Sequence, residues 1–140
     1  MKQNKFLAAG VAIAMAAAAP VGALAAKSNP TVTVRVRSLT TTLLAGTSVH
    51  GEKGSITKGG TPKGACPGAS AAGALDAATN GKWRGKYYSS VGTTFITSIL
   101  GVKPPGKDFW GIYVNGTFSN VGACSIKLHA GEKLLFKIVK

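Results

Sequence analysis

The chain has 140 residues, of which 17 are lysine or arginine and only four are aspartate or glutamate, giving a formal net charge of +13. This length accommodates one domain of ordinary size rather than two. The four carboxylates and two histidines are scattered along the chain. Because acid–base and metal chemistry need such groups in clusters, the composition favours a binding or structural protein over an enzyme.

The first 25 residues have the pattern of a secretory signal peptide. Lys2 and Lys5 precede an apolar run over residues 6–19, and residues 23–25 (Ala-Leu-Ala) form a small-x-small cleavage pattern. The run is shorter than the ~20 apolar residues of a membrane span. We therefore predict a bacterial protein that is secreted or extracytoplasmic, without stable membrane insertion. Its single domain covers residues 26–140, with a net charge of +11 once the two lysines are removed.

The first half of this domain contains two predicted strands. Residues 31–37 alternate strictly, with three valines on one face and threonine or arginine on the other, which is typical of a half-buried strand. A second extended stretch, residues 40–49, follows closely enough to form a hairpin with the first. Residues 50–64 are rich in glycine, lysine and threonine, so we predict an exposed loop there.

One helix is predicted, over residues 70–79. Its apolar side chains recur with helical spacing, and Ser70 is placed to cap its N-terminus. Asn80 and Gly81 supply a left-handed stop. The acidic residue of this helix, Asp76, is predicted on the solvent face. The apolar stripe consists of Ala71, Ala74, Leu75 and Ala78.

Several further strands are predicted after the helix. A short mixed segment with three aromatic residues, Trp83, Tyr87 and Tyr88, is followed by a strand over residues 92–102 and a proline-rich turn. Asn115-Gly116 is a strong hairpin signal between residues 109–114 and 117–121. Residues 133–139 close the domain with alternating apolar positions. The fold class is therefore α+β, a mixed sheet packed on one short helix.

The ionisable side chains do not indicate a catalytic or metal site. Glu52, Asp76, Asp108 and Glu132 are far apart in sequence, which does not favour a carboxylate pair. His50 and His129 each lack a partner motif and are predicted at the surface. Phosphate-binding loops, nucleophile elbows and dinucleotide motifs are absent from the sequence.

The two cysteines, Cys66 and Cys124, favour a disulfide. An even cysteine count in an exported protein is typical of disulfide pairing. Free thiols or metal binding are the alternatives, although a metal site needs three or four ligands at suitable spacing.

Six segments together resemble the DUF4430 family, a small domain similar to the C-terminal domain of the animal vitamin B12 carriers. The resemblance implies a β-grasp-like α+β fold related to soluble-ligand-binding domains, and it implies that the cysteines before the helix and before the last strand are paired. The segments are TVTVRVR (31–37), CPGASAAGALDAAT (66–79) with Trp83, FITSILG (95–101), FWGIYVNG (109–116), GAC (122–124) and AGEKLLF (130–136).

The resemblance also implies a ligand-facing surface. The B12 carriers place a similar domain as a lid over cobalamin, and by that analogy Phe109, Trp110 and Tyr113 would face a ligand. The alternative is simple packing, since strand alternation puts Trp110 on one face and Phe109 with Tyr113 on the other. The chain has no room for the carriers' helical barrel, which argues against cobalamin, and we predict no cofactor.

Two functions fit these observations. We predict a secreted, non-catalytic and monomeric binding module for an unknown small molecule. The alternative is a cationic envelope protein held to anionic wall polymers by electrostatic attraction. Because the protein is predicted to be exported, nucleic acid is not an expected partner.

Overall fold

The computed structural model describes residues 29–140, so the predicted signal peptide lies outside the described residues. Within this range no helix is long and apolar enough to cross a membrane. The secondary structure follows in chain order. The elements are β1 (Thr31–Arg37), β2 (Thr42–His50), α1 (Ala71–Thr79), β3 (Trp83–Tyr88), β4 (Thr93–Ile99), β5 (Phe109–Val114), β6 (Thr117–Phe118) and β7 (Lys133–Val139), with short 3₁₀ turns at Lys58–Gly60 and Ala123–Ser125.

The strands form two sheets, which confirms the predicted α+β class. A five-stranded sheet has the order β2-β1-β7-β5-β6, and β3 and β4 form a separate two-stranded sheet. The central β1 and β7 are parallel, whereas the other pairs are antiparallel, so the larger sheet is mixed. One face of this sheet is buried in the core through alternate residues of three strands. The buried side chains are Val32, Val34, Val36, Trp110, Ile112, Leu134, Phe136 and Ile138.

Helix α1 packs closely against the segment that precedes it, because most of its buried residues are small. A Cβ on Gly73 would lie 1.8 Å from the carbonyl oxygen of Gly68, so only glycine permits this approach. The left-handed stop is confirmed, since Asn80 has φ of 54° and Gly81 has φ of 77°. The predicted cap is wrong, because the Ser70 hydroxyl donates to the Pro67 carbonyl, at 2.6 Å, and accepts no hydrogen bond from an N–H of the helix.

The segment predicted as an exposed loop, residues 50–64, is partly a core segment. Ile56 is buried, and its N–H donates to the Cys66 carbonyl at 2.7 Å. The Glu52 N–H likewise donates to the Gly68 carbonyl at 2.8 Å. These bonds join residues distant in sequence, and local composition cannot show such pairing.

The second half of the domain follows the predicted order with two differences. The segment that starts at Trp83 is a regular strand, β3, rather than a mixed stretch. The Asn115-Gly116 turn is confirmed, with φ of 50° and 87°, but β6 ends at Phe118 instead of continuing to residue 121. As a result β6 covers only Tyr113 and Val114 of β5.

The predicted disulfide is confirmed between Cys66 and Cys124, whose Cα atoms lie 4.6 Å apart. Both cysteines are buried. The bridge joins the segment before α1 to the 3₁₀ turn Ala123–Ser125 across 58 residues of sequence.

Reduction of this disulfide should destabilise the domain by about 4 kcal/mol, since a bridge over a loop of this length removes that much entropy from the unfolded chain. Urea unfolding of the oxidised protein, the reduced protein and the Cys66→Ser/Cys124→Ser variant measures the effect. Equal midpoints for the oxidised and reduced forms would show that the apolar core alone holds the domain.

Candidate functional site

An open cleft of about 330 Å³ lies between the two sheets. Its walls are the start of β4, the first four residues of β5 and the chain at residues 118–123. The cleft lies beside the part of β5 that β6 does not cover. Strand β6 pairs only with the end of β5, so the first half of β5 has no neighbouring strand on that side.

The rim of the cleft is apolar and exposed. The described residues contain six large hydrophobic side chains that are exposed, and four of them line this cleft: Val91, Phe95, Phe118 and Val121. A fifth, Tyr88, packs edge-on against Phe95, with ring centroids 6.2 Å apart. Exposed apolar surface gathered in this way marks binding sites more often than single scattered side chains do.

Two residues that line the cleft each carry a buried polar atom without a hydrogen-bond partner. These atoms are the Thr93 hydroxyl and the Trp110 indole N–H, and they are the only buried side-chain polar atoms without a partner in residues 29–140. Both residues line the cleft, and their exposed fractions are only 8% and 5%. A buried polar group without a partner costs about 1–3 kcal/mol. The residues that line the cleft therefore include two with buried hydrogen-bonding groups that the protein itself does not satisfy.

The predicted ligand-facing residues occupy different places. Phe109 and Trp110 line the cleft, whereas Tyr113 does not. Tyr113 packs edge-to-face against Phe118, with centroids 5.5 Å apart, and so supports the cleft wall from outside. Nothing in the sequence indicates Thr93 and Phe118, because neither stands in a motif and they line the same cleft as Trp110 only in the folded chain.

Gly122 leaves space for the Thr93 side chain at the cleft. A Cβ on Gly122 would lie 2.3 Å from the Thr93 oxygen and 2.7 Å from its methyl carbon. Any larger residue would therefore displace Thr93. The close approach fixes the position of this hydroxyl in the wall.

A second polar cluster lies where the segment 50–64 meets α1 and β3, and it differs from two predictions. Asp76 is half-buried rather than on the solvent face. Its carboxylate accepts the Trp83 indole N–H at 2.7 Å and forms an ion pair with Lys58 at 3.3 Å. Glu52 also meets Asp76, so a carboxylate pair that the sequence spacing did not favour is present. The residues come together because the segment 50–64 folds back onto the helix.

Lys58 anchors this cluster to the backbone. Its ammonium group donates to the carbonyls of Gly81 and Trp83 and lies 5.0 Å from the centroid of the Trp83 ring. The pKa of Glu52 is raised to about 7, mainly by burial of its carboxyl group. The hydrogen bond to Asp76 and repulsion by the negative charge of Asp76 raise this pKa further, whereas the positive charge of Lys58 lowers it. The cluster thus connects residues 50–64, α1 and β3.

The remaining ionisable groups do not assemble a site. Among residues 29–140, no three histidine, cysteine, aspartate or glutamate side chains are grouped so that they could hold a metal ion. His50 contacts the Thr31 hydroxyl at 3.0 Å, and His129 lies 3.5 Å from the Glu132 carboxylate, both at the surface. The cleft is lined without any charged side chain in the described part of the chain. Its chemistry is that of apolar contact with two hydrogen-bonding groups.

Comparison with known proteins matches one family model and several solved structures, including the following two. The model of a family described as a domain of unknown function (DUF4430) matches residues 68–140. Haptocorrin, in a crystal structure in complex with Cbi, has a TM-score of 0.57 at 18% identity over 79% of this chain. This chain spans 25% of the haptocorrin chain. No curated protein matches.

The second similar structure is a protein from Ruminococcus gnavus ATCC 29149 with a suggested metal-binding role. It has a TM-score of 0.55 at 14% identity, covering 80% of this chain and 98% of its own. At these identities the likenesses establish the fold. They agree with the small α+β domain described above.

The Thr93 hydroxyl should be dispensable for stability. Thr93→Val removes a buried hydroxyl that has no partner, so we expect unchanged or higher stability, by up to about 1 kcal/mol. Thr94→Val is the matched control, because the Thr94 hydroxyl bonds to that of Thr61 at 2.7 Å. That variant should lose about 1 kcal/mol in urea unfolding. A larger loss for Thr93→Val than for Thr94→Val would contradict the assignment.

Glu52 should make stability fall as pH rises. A carboxyl with a folded pKa near 7 and an ordinary value of 4.5 binds its proton more tightly in the folded state. Its stabilising contribution is therefore complete below about pH 4.5 and is lost as pH rises through 7. Glu52→Gln should flatten the stability profile in that window, measured by urea unfolding, whereas Asp108→Asn should not. Parallel profiles for wild type and Glu52→Gln would exclude the effect.

Proposed function

We propose that this chain, which belongs to the DUF4430 family, is an exported, non-catalytic module that binds a small molecule in the cleft between its two sheets. The observation that carries the proposal is the pair of unpartnered groups, the Thr93 hydroxyl and the Trp110 indole N–H, in an apolar wall. A ligand that bonds to either group would satisfy a polar atom that the protein itself leaves without a partner.

The lining defines the chemistry of the ligand. An indole N–H only donates, and a hydroxyl can donate, so the ligand needs an acceptor oxygen or nitrogen. The absence of charged lining in the described residues favours a neutral acceptor such as a carbonyl over a carboxylate. Phe95 and Phe118 on the rim favour a flat apolar body. The proposed ligand is therefore a neutral, flat, apolar molecule with one carbonyl-like acceptor.

The volume of the cleft sets an upper limit on what it encloses. Ligand sites commonly measure about 300–1,000 Å³, and this cleft, at about 330 Å³, lies at the lower end. It can hold a small ligand or one part of a larger ligand. Since the chain spans 25% of haptocorrin, a ligand as large as cobalamin would need contacts from a second partner, and we do not propose it as the ligand.

The proposed absence of catalysis rests on what surrounds the cleft. The described residues that line the cleft include no histidine and no carboxylate, so the lining offers no base to activate the Thr93 hydroxyl. The haptocorrin structure is of a protein in complex with Cbi, which is consistent with a binding role for this fold. The disulfide is consistent with an oxidising, extracytoplasmic location.

Binding of prodan, a neutral dimethylaminonaphthalene that carries a ketone, tests the proposal. The matched control ligand is the dimethylaminonaphthalene without the ketone. Wild-type protein should prefer prodan by roughly tenfold, the value of one hydrogen bond of about 1.4 kcal/mol. Thr93→Val or Trp110→Phe should abolish this preference. Fluorescence titration of the mature protein measures both affinities.

Apolar contact is tested separately at the rim. Phe118→Ala should weaken both ligands equally, because it removes a ring from the cleft wall. Leu39→Ala is the matched control, since Leu39 is exposed to the same degree, 42% against 41%, but does not line the cleft. If no variant changes the preference for the ketone, or if Leu39→Ala has the effect of Phe118→Ala, the cleft is not the binding site.

A further inference from the structure

The solvent side of the five-stranded sheet carries four cations on two neighbouring strands. Alternation buries the valines of β1 and directs Arg35 and Arg37 to the solvent side of the sheet. In β7 it likewise directs Lys133 and Lys137 to the solvent side. The parallel register places Arg37 directly beside Lys137. With strands ~4.8 Å apart and ~3.3 Å per residue, the four Cα atoms fall within a strip about 13 Å long. We call these four residues the cationic strip.

The cationic strip has no acidic partner in residues 29–140. The ion pairs of the described chain are Lys58 with Asp76 and His129 with Glu132. Glu132, although next to Lys133 in sequence, also accepts the His129 N–H at 2.7 Å. Like charges on directly opposite positions of neighbouring strands destabilise a sheet, so the adjacency of Arg37 and Lys137 has a cost. An anionic partner would remove it.

The edge strand leaves the arginine accessible. Arg35 reaches across β2 at Gly46, where a built Cβ would lie 4.0 Å from a guanidinium nitrogen. Because Gly46 has no side chain, nothing from β2 covers the guanidinium at this point. A guanidinium presents a planar fork of donors that matches phosphate oxygens in pairs, and lysines add point charges that tolerate varied geometry. The strip thus combines two forks with two ammonium groups.

We propose that the cationic strip is a docking surface for a phosphate-bearing polymer outside the cytoplasmic membrane. Charge complementarity identifies the occupant. A single small anion meets one or two of the cations, whereas a chain with repeated phosphates can meet all four along the 13 Å of the strip. The buried disulfide is consistent with an extracytoplasmic location, which favours such a polymer over nucleic acid. The strip is on the exposed face of the sheet and does not line the cleft.

Long-chain inorganic polyphosphate is the probe, and its binding to the mature, disulfide-bonded protein is measured by calorimetry at several salt concentrations. The test variant is Arg35→Gln/Arg37→Gln/Lys133→Gln/Lys137→Gln. The matched control carries Lys53→Gln/Lys63→Gln/Lys103→Gln/Lys107→Gln, four exposed lysines away from the strip, and so has the same net charge. Thermal unfolding of both variants verifies that each is folded.

The strip variant should bind polyphosphate at least tenfold more weakly than wild type. Its salt dependence should fall by roughly 0.7 in log–log slope for each cation lost, if polyphosphate behaves like single-stranded nucleic acid. The control should lose less than threefold. Equal losses in both variants would show attraction by net charge alone and overturn the proposal, as would no binding to wild type at low salt. Tighter binding of single-stranded DNA through the strip would assign the surface to nucleic acid instead.

Discussion

The disulfide between Cys66 and Cys124 is the constraint on which the rest of the structure depends. It joins the chain before α1, where the segment 50–64 is bound by backbone hydrogen bonds, to the 3₁₀ turn that follows the cleft wall. Ala123, one residue before the bridge, lines the cleft, and Gly122 beside it leaves space for Thr93. One covalent link therefore fixes the helix start and one wall of the proposed binding site together.

The domain has two separate candidate surfaces, because no residue of the cationic strip lines the cleft. The cleft lies between the two sheets, and two of its lining residues carry unsatisfied hydrogen-bonding groups. The cationic strip lies on the solvent side of β1 and β7. Apolar contact is almost insensitive to salt, whereas contact with a polyanion weakens steeply as salt rises. The two proposed activities can therefore be distinguished on one sample of the protein.

Most strands could be predicted from the sequence, because alternation at residues 31–37 and 133–139 and the Asn115-Gly116 turn are local signals. The cleft could only be predicted in part. The analogy pointed to Phe109 and Trp110, but Thr93 and Phe118 come from other segments and meet them only through tertiary contacts. The prediction that Asp76 faces solvent was wrong for the same reason. Its partners Glu52 and Lys58 lie in a segment whose composition is typical of a loop.

The most direct test of the account is a crystal structure of the mature protein with prodan bound. We expect the naphthyl ring between Phe95 and Phe118, with the ketone oxygen within about 2.7–3.2 Å of the Thr93 hydroxyl or the Trp110 indole nitrogen. Prodan bound elsewhere on the protein, or in the cleft with its ketone directed to solvent, would contradict the claim that these two groups define the site.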